Sequence, residues 1–149
     1  MKKWIMLVIF TTCASAVQAQ TNFYNTVTNL WYQGDKSNVF VMAESRLAQN
    51  TNDISGLILK LECQIAWLDL PQISHSVLRV LQVGDTITST NFVQKFQIER
   101  QELLDDLELF RAYPTPEKLP TERQKGNIIH KELPTFLFDA LYKDGYFNQ

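Results

Sequence analysis

Residues 54–68 constrain the fold more than any other part of the chain. Apolar residues recur there at intervals of three and four, and others fill the remaining faces: Ile54, Leu57, Ile58, Leu59, Leu61, Cys63, Ile65, Ala66, Trp67 and Leu68. A helix that is apolar nearly all round has to be surrounded by other helices. We therefore predict a central helix over residues 54–68, with the carboxylate of Asp53 at its N-terminal cap.

The segments on either side of the central helix show the same helical spacing. We predict a helix over residues 22–32, a second that ends at about Gln49, another that restarts at residues 69–71 and is stopped by Gly84, a long one that runs from a cap at residues 88–90 to at least Phe110, and a last one over residues 134–144. Asp35 or Ser37 is expected to cap the second of these, and a residue of 88–90 to cap the long one. Gly34, Gly84 and Gly145 are expected to stop helices, Gly84 in a left-handed conformation. Since no alternation typical of a strand runs for a useful length, the sequence predicts an all-α fold of antiparallel helical hairpins.

Residues 113–126 differ in composition from the helical segments. They contain Pro114, Pro116 and Pro120 among many polar residues, with little to bury. We expect a surface linker or strap there, within a single domain of residues 20–149. Residues 127–130 form a short apolar run that the pattern leaves open as extended or helical. The C-terminal helix is expected to pack inward through Phe136, Leu137, Ala140 and Leu141.

The N-terminus has the order of a bacterial export signal. Lys2 and Lys3 precede an apolar run, and small residues follow as far as Ala19. The apolar run is much shorter than the roughly 20 residues that a membrane-spanning helix needs. We expect cleavage after Ala19, or alternatively after Ala16. The domain would then lie in the periplasm or outside the cell, with no stable membrane anchor.

Three other interpretations of residues 1–19 stay open. They could form a buried helix of the domain, or be retained as a membrane anchor. Cys13 could also be lipidated, although the preceding residues lack the leucine and the small residue of a lipoprotein signal.

Residues 22–84 resemble tetratricopeptide (TPR) repeats, most closely over the first 30 or so. Positions of the first repeat match as follows: Phe23 at the early aromatic, Val27 at a small residue, Leu30 at the large mid-helix residue, Gly34 and Asp35 at the turn, Ala43 in the second helix and residues 51–53 at the repeat boundary. Arg46 stands where the family usually has alanine, and the boundary lacks proline. The resemblance implies a scaffold of stacked helix pairs that binds protein or peptide segments on a concave face.

Charge and cysteine content narrow the functional classes. Removing Lys2 and Lys3 from 14 basic residues leaves 12, against 16 acidic residues. The sequence contains no cluster of lysine and arginine that could bind along a phosphate backbone, so nucleic acid is not expected as a partner.

Cleavage would leave Cys63 without a second cysteine, and its apolar surroundings favour a small buried side chain over a reactive thiol.

No group of residues in the sequence has the spacing of a catalytic or metal site. His75 and His130 are far apart and lack companion ligands, whereas zinc needs three or four. Cys63 with His75 is the one nucleophile–base pair available, and no oxyanion turn accompanies it. Residues 99–108 contain several acidic side chains but do not have the pattern of a calcium-binding loop. We interpret them as a solvated helix face, on which Lys95 and Arg100 reduce the repulsion between carboxylates. Glycine-rich phosphate loops are also missing. We expect no catalytic residue, metal or cofactor.

These observations favour a non-enzymatic exported protein that binds a protein or peptide partner. Because aromatic residues make good anchors, we expect a binding groove between the first two helices, around Trp31, Tyr32 and Phe40. One alternative is a small helical carrier with an apolar cavity. Another is an inhibitor or immunity-type protein that binds a basic target through its acidic surface. The sequence does not specify the oligomeric state.

Overall fold

The computed structural model describes residues 22–113, 115, 117 and 137–148, and these residues are helical apart from turns. Helix α1 covers residues 22–32. The others are α2 (Lys36–Gln49), α3 (Ile54–Trp67), α4 (Leu70–Gly84), α5 (Thr90–Ala112) and α6 (Leu137–Lys143), followed by a 3-10 turn at Tyr146–Asn148. The all-α prediction is confirmed. The expected export signal, Cys13, most of the proline-rich segment, residues 127–130 and Phe136 lie outside the described residues.

The helices pack in chain order around α3. Helix α2 contacts α3, α3 contacts α4, and α4 contacts α5. Ten residues of α3 are buried, as expected for a helix that is apolar on nearly every face. Short connections between consecutive helices make neighbours antiparallel. The predicted central helix is therefore confirmed, and it ends one residue early because Leu68 adopts a left-handed conformation, with φ at 54°.

The described C-terminal residues pack against both ends of this array. Helix α6 contacts α5 and α3, and its Phe138 packs against Phe23 and Tyr24 of α1. The Tyr24 hydroxyl donates a hydrogen bond to Asp139 of α6. Burial, with the charge and hydrogen bond of Asp139 adding to it, raises the pKa of Tyr24 well above its ordinary value. The first and last described helices are thus joined through an aromatic cluster.

Two of the predicted caps form as the sequence indicates. Asp35 accepts a hydrogen bond from the backbone N–H of Asn38 at 3.2 Å and caps α2. Asp53 accepts from the backbone N–H of Gly56 at 2.8 Å and caps α3. Gly34, with φ at +80°, makes the turn between α1 and α2. These features were predictable because each depends on residues at most three positions apart.

Gly84 does not stop α4 in a left-handed conformation, so that prediction was wrong. It is the last helical residue of α4, and the residue that follows, Asp85, is right-handed. A methyl group at Gly84 would lie 2.5 Å from Cζ of Phe96 on α5. Glycine is needed at this position because it lets the Phe96 ring of α5 approach the backbone of α4.

The N-terminus of α5 is capped by a residue far away in sequence. Ser89 occupies the N-cap position, but its side chain makes no cap hydrogen bond to the helix. The carboxylate of Asp144 instead accepts from the backbone N–H groups of Asn91 at 3.0 Å and Phe92 at 2.8 Å. A residue of the predicted range 88–90 therefore occupies the N-cap position, but the carboxylate of Asp144 supplies the hydrogen-bond acceptor.

The ionisation of Asp144 depends on the same contacts. Partial burial opposes its ionisation, but hydrogen bonds from Phe92, Asn91 and Ser89 hold its pKa below the ordinary value. A carboxyl group whose pKa is depressed by folding stabilises the protein above its unfolded-state pKa. That contribution is lost as the pH falls through the folded-state pKa.

Replacing Gly84 by alanine is expected to destabilise the protein, although alanine favours helices by about 1 kcal/mol. The added methyl group forces the buried Phe96 ring to move, and overpacking costs about 1–3 kcal/mol. Urea unfolding of Gly84→Ala and Phe96→Leu, singly and together, measures the effect. In the Phe96→Leu background, Gly84→Ala should become neutral or stabilising. Equal destabilisation in both backgrounds would contradict the proposed contact.

Replacing Asp144 by alanine is expected to lower the free energy of unfolding by about 1 kcal/mol, because α5 loses its cap. Asp69→Ala is a matched control, since Asp69 is the N-cap residue of α4 and its side chain makes no cap hydrogen bond. Its replacement should change stability by about 0.5 kcal/mol or less. Thermal unfolding at pH 7 separates the two, and equal losses would argue against the remote cap.

Candidate functional site

Two of the three predicted binding residues lie where α1 ends and α2 begins. Trp31 is half-buried in the last turn of α1, and the ammonium of Lys36 lies 4.7 Å from the centre of its indole ring. Phe40 follows Lys36 by one turn of α2 and is also half-buried. Residues four apart on a helix are neighbours on its surface, so Lys36 connects the two aromatic side chains.

A third aromatic side chain joins them from α3. The ring of Trp67 lies 5.4 Å from that of Phe40, centre to centre, and 46% of the Trp67 side chain is exposed. The ammonium of Lys60, also on α3, lies 5.9 Å from the Phe40 ring. We call Trp31, Lys36, Phe40, Lys60 and Trp67 the aromatic–lysine face. Lys36 lies over Trp31 and one turn before Phe40, and Phe40 neighbours both Lys60 and Trp67, so the five side chains form one continuous surface.

A contact between α2 and α3 lies beneath this face. The Cys63 thiol of α3 lies 3.5 Å from the backbone carbonyl oxygen of Lys36. The C-terminal half of α3 therefore lies beside the first turn of α2, and Trp67, one turn after Cys63, lies next to Phe40.

Sequence reasoning missed Trp67 because it treated residues 54–68 as a helix enclosed by others. A signal was present: Trp67 lies near the end of the apolar run, two residues before the polar residue Asp69. Tryptophan tolerates such a boundary because it combines a large apolar surface with a polar N–H group.

Tyr32 lies apart from the aromatic–lysine face. It follows Trp31 directly, and consecutive residues of a helix point about 100° apart. Its side chain is 70% exposed, on the outward side of α1. The binding role of Trp31, Tyr32 and Phe40 stays a prediction, and Trp67 is a further aromatic residue in contact with Phe40.

The charges on the aromatic–lysine face are partly balanced. Lys60 makes an ion pair with Glu44 of α2, with 2.8 Å between the two charged atoms. Both side chains are substantially exposed, so the pair contributes little to stability and can exchange partners at low cost. Lys36 and Lys60 can therefore turn toward a carboxylate that approaches the aromatic rings.

Cys63 lies beneath this face as a buried side chain, as the sequence indicates. Its accessible surface is 0% of the maximum. Burial, with the nearby charge of Glu62 adding to it and that of Lys36 opposing it, raises the pKa of the thiol to about 12. The thiol is therefore protonated at neutral pH, whereas nucleophilic attack requires the thiolate. His75, its suggested partner, is exposed on α4, and His130 lies outside the described residues.

Three of the five acidic residues of α5 are exposed to solvent, as expected: Glu102, Asp105 and Glu108. Glu99 and Asp106 are half-buried. Arg100, expected to relieve their repulsion, pairs with Asp85 at 3.1 Å and thereby links α5 to the residue after α4. Among the described residues, no group of three or more His, Cys, Asp or Glu side chains could hold a metal ion.

A surface cleft of about 300 Å³ lies between α5 and α6. Asn91, Lys95 and Ile98 line one side, and Asp139 and Lys143 the other. The carrier hypothesis expects an apolar interior cavity, and this cleft is instead open to solvent and edged by charged groups.

Comparison with known proteins adds no functional information, because the chain matches no family model, no curated protein and no solved structure. None of the described helices has the length and apolar character needed to cross a membrane.

Proposed function

We propose that this protein is a non-enzymatic interaction module of the bacterial envelope, which binds a protein or peptide segment through the aromatic–lysine face. The observation that carries the proposal is the contact between Phe40 and Trp67 at the surface, with nearly half of the tryptophan exposed. Tryptophan is over-represented among the residues that dominate binding energy. Removing its exposed part from water would supply a strong apolar contribution.

The other residues of the face favour a partner segment that has both an apolar and an acidic side chain. Phe40 and Trp31 are half-buried and supported from below, so they offer rigid apolar surface that loses little entropy on binding. Lys36 and Lys60 border them and favour a carboxylate beside the inserted apolar side chain. The partner that fits best is an apolar or aromatic side chain flanked by an acidic residue.

Export and the TPR-like scaffold belong to the same proposal. The order of residues 1–19 supports passage through the inner membrane. The packing of consecutive helices in chain order supports a scaffold of helix pairs, in which binding surfaces lie along the array.

Affinity capture of the protein from an envelope extract, with mass spectrometry of the retained proteins and small molecules, tests this function. A partner identified in this way is then titrated against the purified protein and its variants. We expect Trp67→Ala to raise Kd about 30-fold, the loss typical of a dominant interface residue. Ile98→Ala is the matched control, because Ile98 on α5 is an exposed apolar residue away from the face.

The control should bind with unchanged Kd, and both variants should keep the melting temperature of the wild type within a few degrees. Equal binding by Trp67→Ala and the wild type would overturn the assignment of the face. Retention of a lipid or other small molecule, without any protein, would favour a carrier instead.

A further inference from the structure

The cleft between α5 and α6 has walls that are fixed by hydrogen bonds at its edge. Its volume is about 300 Å³, at the lower end of the range of small-ligand sites. Asp144, the residue after α6, accepts hydrogen bonds from the backbone N–H groups of Asn91 and Phe92 in the first turn of α5. The cleft is therefore formed in the free protein, and a ligand can enter it with little reorganisation of the backbone.

One part of the cleft is apolar. Ala140 of α6 is 3% exposed, so it lies at the base of the cleft, where its small side chain leaves room above it. Ile98 lines the α5 wall and is 69% exposed. An apolar group placed in the cleft would remove part of the Ile98 side chain from water, which favours binding.

The α6 wall carries charges of both signs that do not pair with each other. Asp139 and Lys143 are four residues apart, a spacing at which opposite charges on a helix usually interact. The Tyr24 hydroxyl instead donates a hydrogen bond to Asp139 and holds its carboxylate. Lys143 makes no ion pair with another residue in the described part of the chain. Lys95 adds a second ammonium from the α5 wall.

This arrangement of charges is complementary to a zwitterion. The two lysines attract a carboxylate, whereas Asp139 attracts an ammonium and repels an anion. The Asp139 carboxylate holds the Tyr24 hydroxyl through one oxygen, and its second oxygen can accept N–H hydrogen bonds from a ligand. A ligand with one positive and one negative group is therefore attracted at both positions.

The geometry of α6 sets the distance between the two charges of such a ligand. Four residues of an α-helix rise about 6 Å, which separates the backbone positions of Asp139 and Lys143. The amino nitrogen and carboxyl carbon lie about 2.5 Å apart in a single amino acid and about 6 Å apart in an extended dipeptide. A dipeptide therefore matches this spacing, and a free amino acid is too short.

We propose that the cleft between α5 and α6 binds a dipeptide in its zwitterionic form. The ammonium of the dipeptide contacts Asp139, and its carboxylate contacts Lys143 and Lys95. An apolar side chain of the dipeptide covers Ile98. This site is separate from the aromatic–lysine face, and the proposal does not depend on the protein partner of that face.

Isothermal titration calorimetry of the purified protein with leucyl-alanine tests the proposal. Two modified peptides serve as probes, because N-acetyl-leucyl-alanine lacks the ammonium and leucyl-alanine amide lacks the carboxylate. Each should bind at least about tenfold more weakly than leucyl-alanine, since each loses a hydrogen bond between charged groups. Free leucine should bind more weakly by a similar factor, because its charges lie too close together.

Variants of the two charged positions connect each end of the peptide with one residue. Lys143→Gln should weaken the binding of leucyl-alanine about tenfold but leave that of the peptide amide unchanged, because the amide has no carboxylate. Asp139→Asn should weaken leucyl-alanine in the same way and leave the N-acetyl peptide unchanged. Arg111→Gln is the matched control, since it removes one positive charge from an exposed position of α5 outside the cleft.

The control should bind leucyl-alanine as the wild type does, and thermal unfolding shows whether each variant is folded. The absence of leucyl-alanine binding at millimolar concentration would overturn the proposal. Equal binding of leucyl-alanine and its amide, or equal binding of leucyl-alanine and free leucine, would overturn it as well. The same holds if Lys143→Gln binds leucyl-alanine as tightly as the wild type.

Discussion

The ion pair of Arg46 and Asp53 joins more parts of this molecule than any other described interaction. The charged atoms lie 2.8 Å apart, and the guanidinium also lies 4.5 Å from the ring centre of Phe23 in α1 and 5.6 Å from that of Phe147. Asp53 caps α3, and burial together with the charge of Asp53 raises the pKa of Tyr146 in the C-terminal turn. Burial opposes the ionisation of Asp53, yet hydrogen bonds from Arg46 and Ser55 hold its pKa below the ordinary value. A carboxylate that is 6% exposed would be costly without these partners.

The sequence predicted what depends on near neighbours and failed where distant residues meet. Helix bounds, the Asp53 cap and the turn at Gly34 follow from spacings of a few residues. The cap of α5 could not be predicted, because Asp144 lies 52 residues after Phe92 in the chain. Gly84 was predicted to stop a helix, whereas the structure needs glycine there because the Phe96 ring of another helix packs against it. Arg46 was noted as a departure from the TPR pattern, and its ion pair and ring contacts explain why a small alanine would not serve there.

In the candidate site, too, the sequence identified residues near a turn and missed one that depends on how two helices pack. Trp31 and Phe40 were identified because they lie near a turn, and Tyr32 was placed with them because it is adjacent in sequence. Trp67 was missed because its contact with Phe40 depends on how α3 packs against α2. Helix α1 carries an end of the aromatic–lysine face, so this proposed surface depends on how α1 is held. The aromatic cluster with α6 and the Arg46–Asp53 pair supply that support.

Hydrogen–deuterium exchange of Arg46→Met tests most directly whether this pair holds the ends of the chain to the helical array. Loss of one partner of a buried pair is expected to cost about 3 kcal/mol. Exchange should then accelerate together in α1 and in residues 137–148, while α4 keeps its protection. Faster exchange confined to α2, or an equal increase in every helix, would contradict the central role of Arg46 and Asp53.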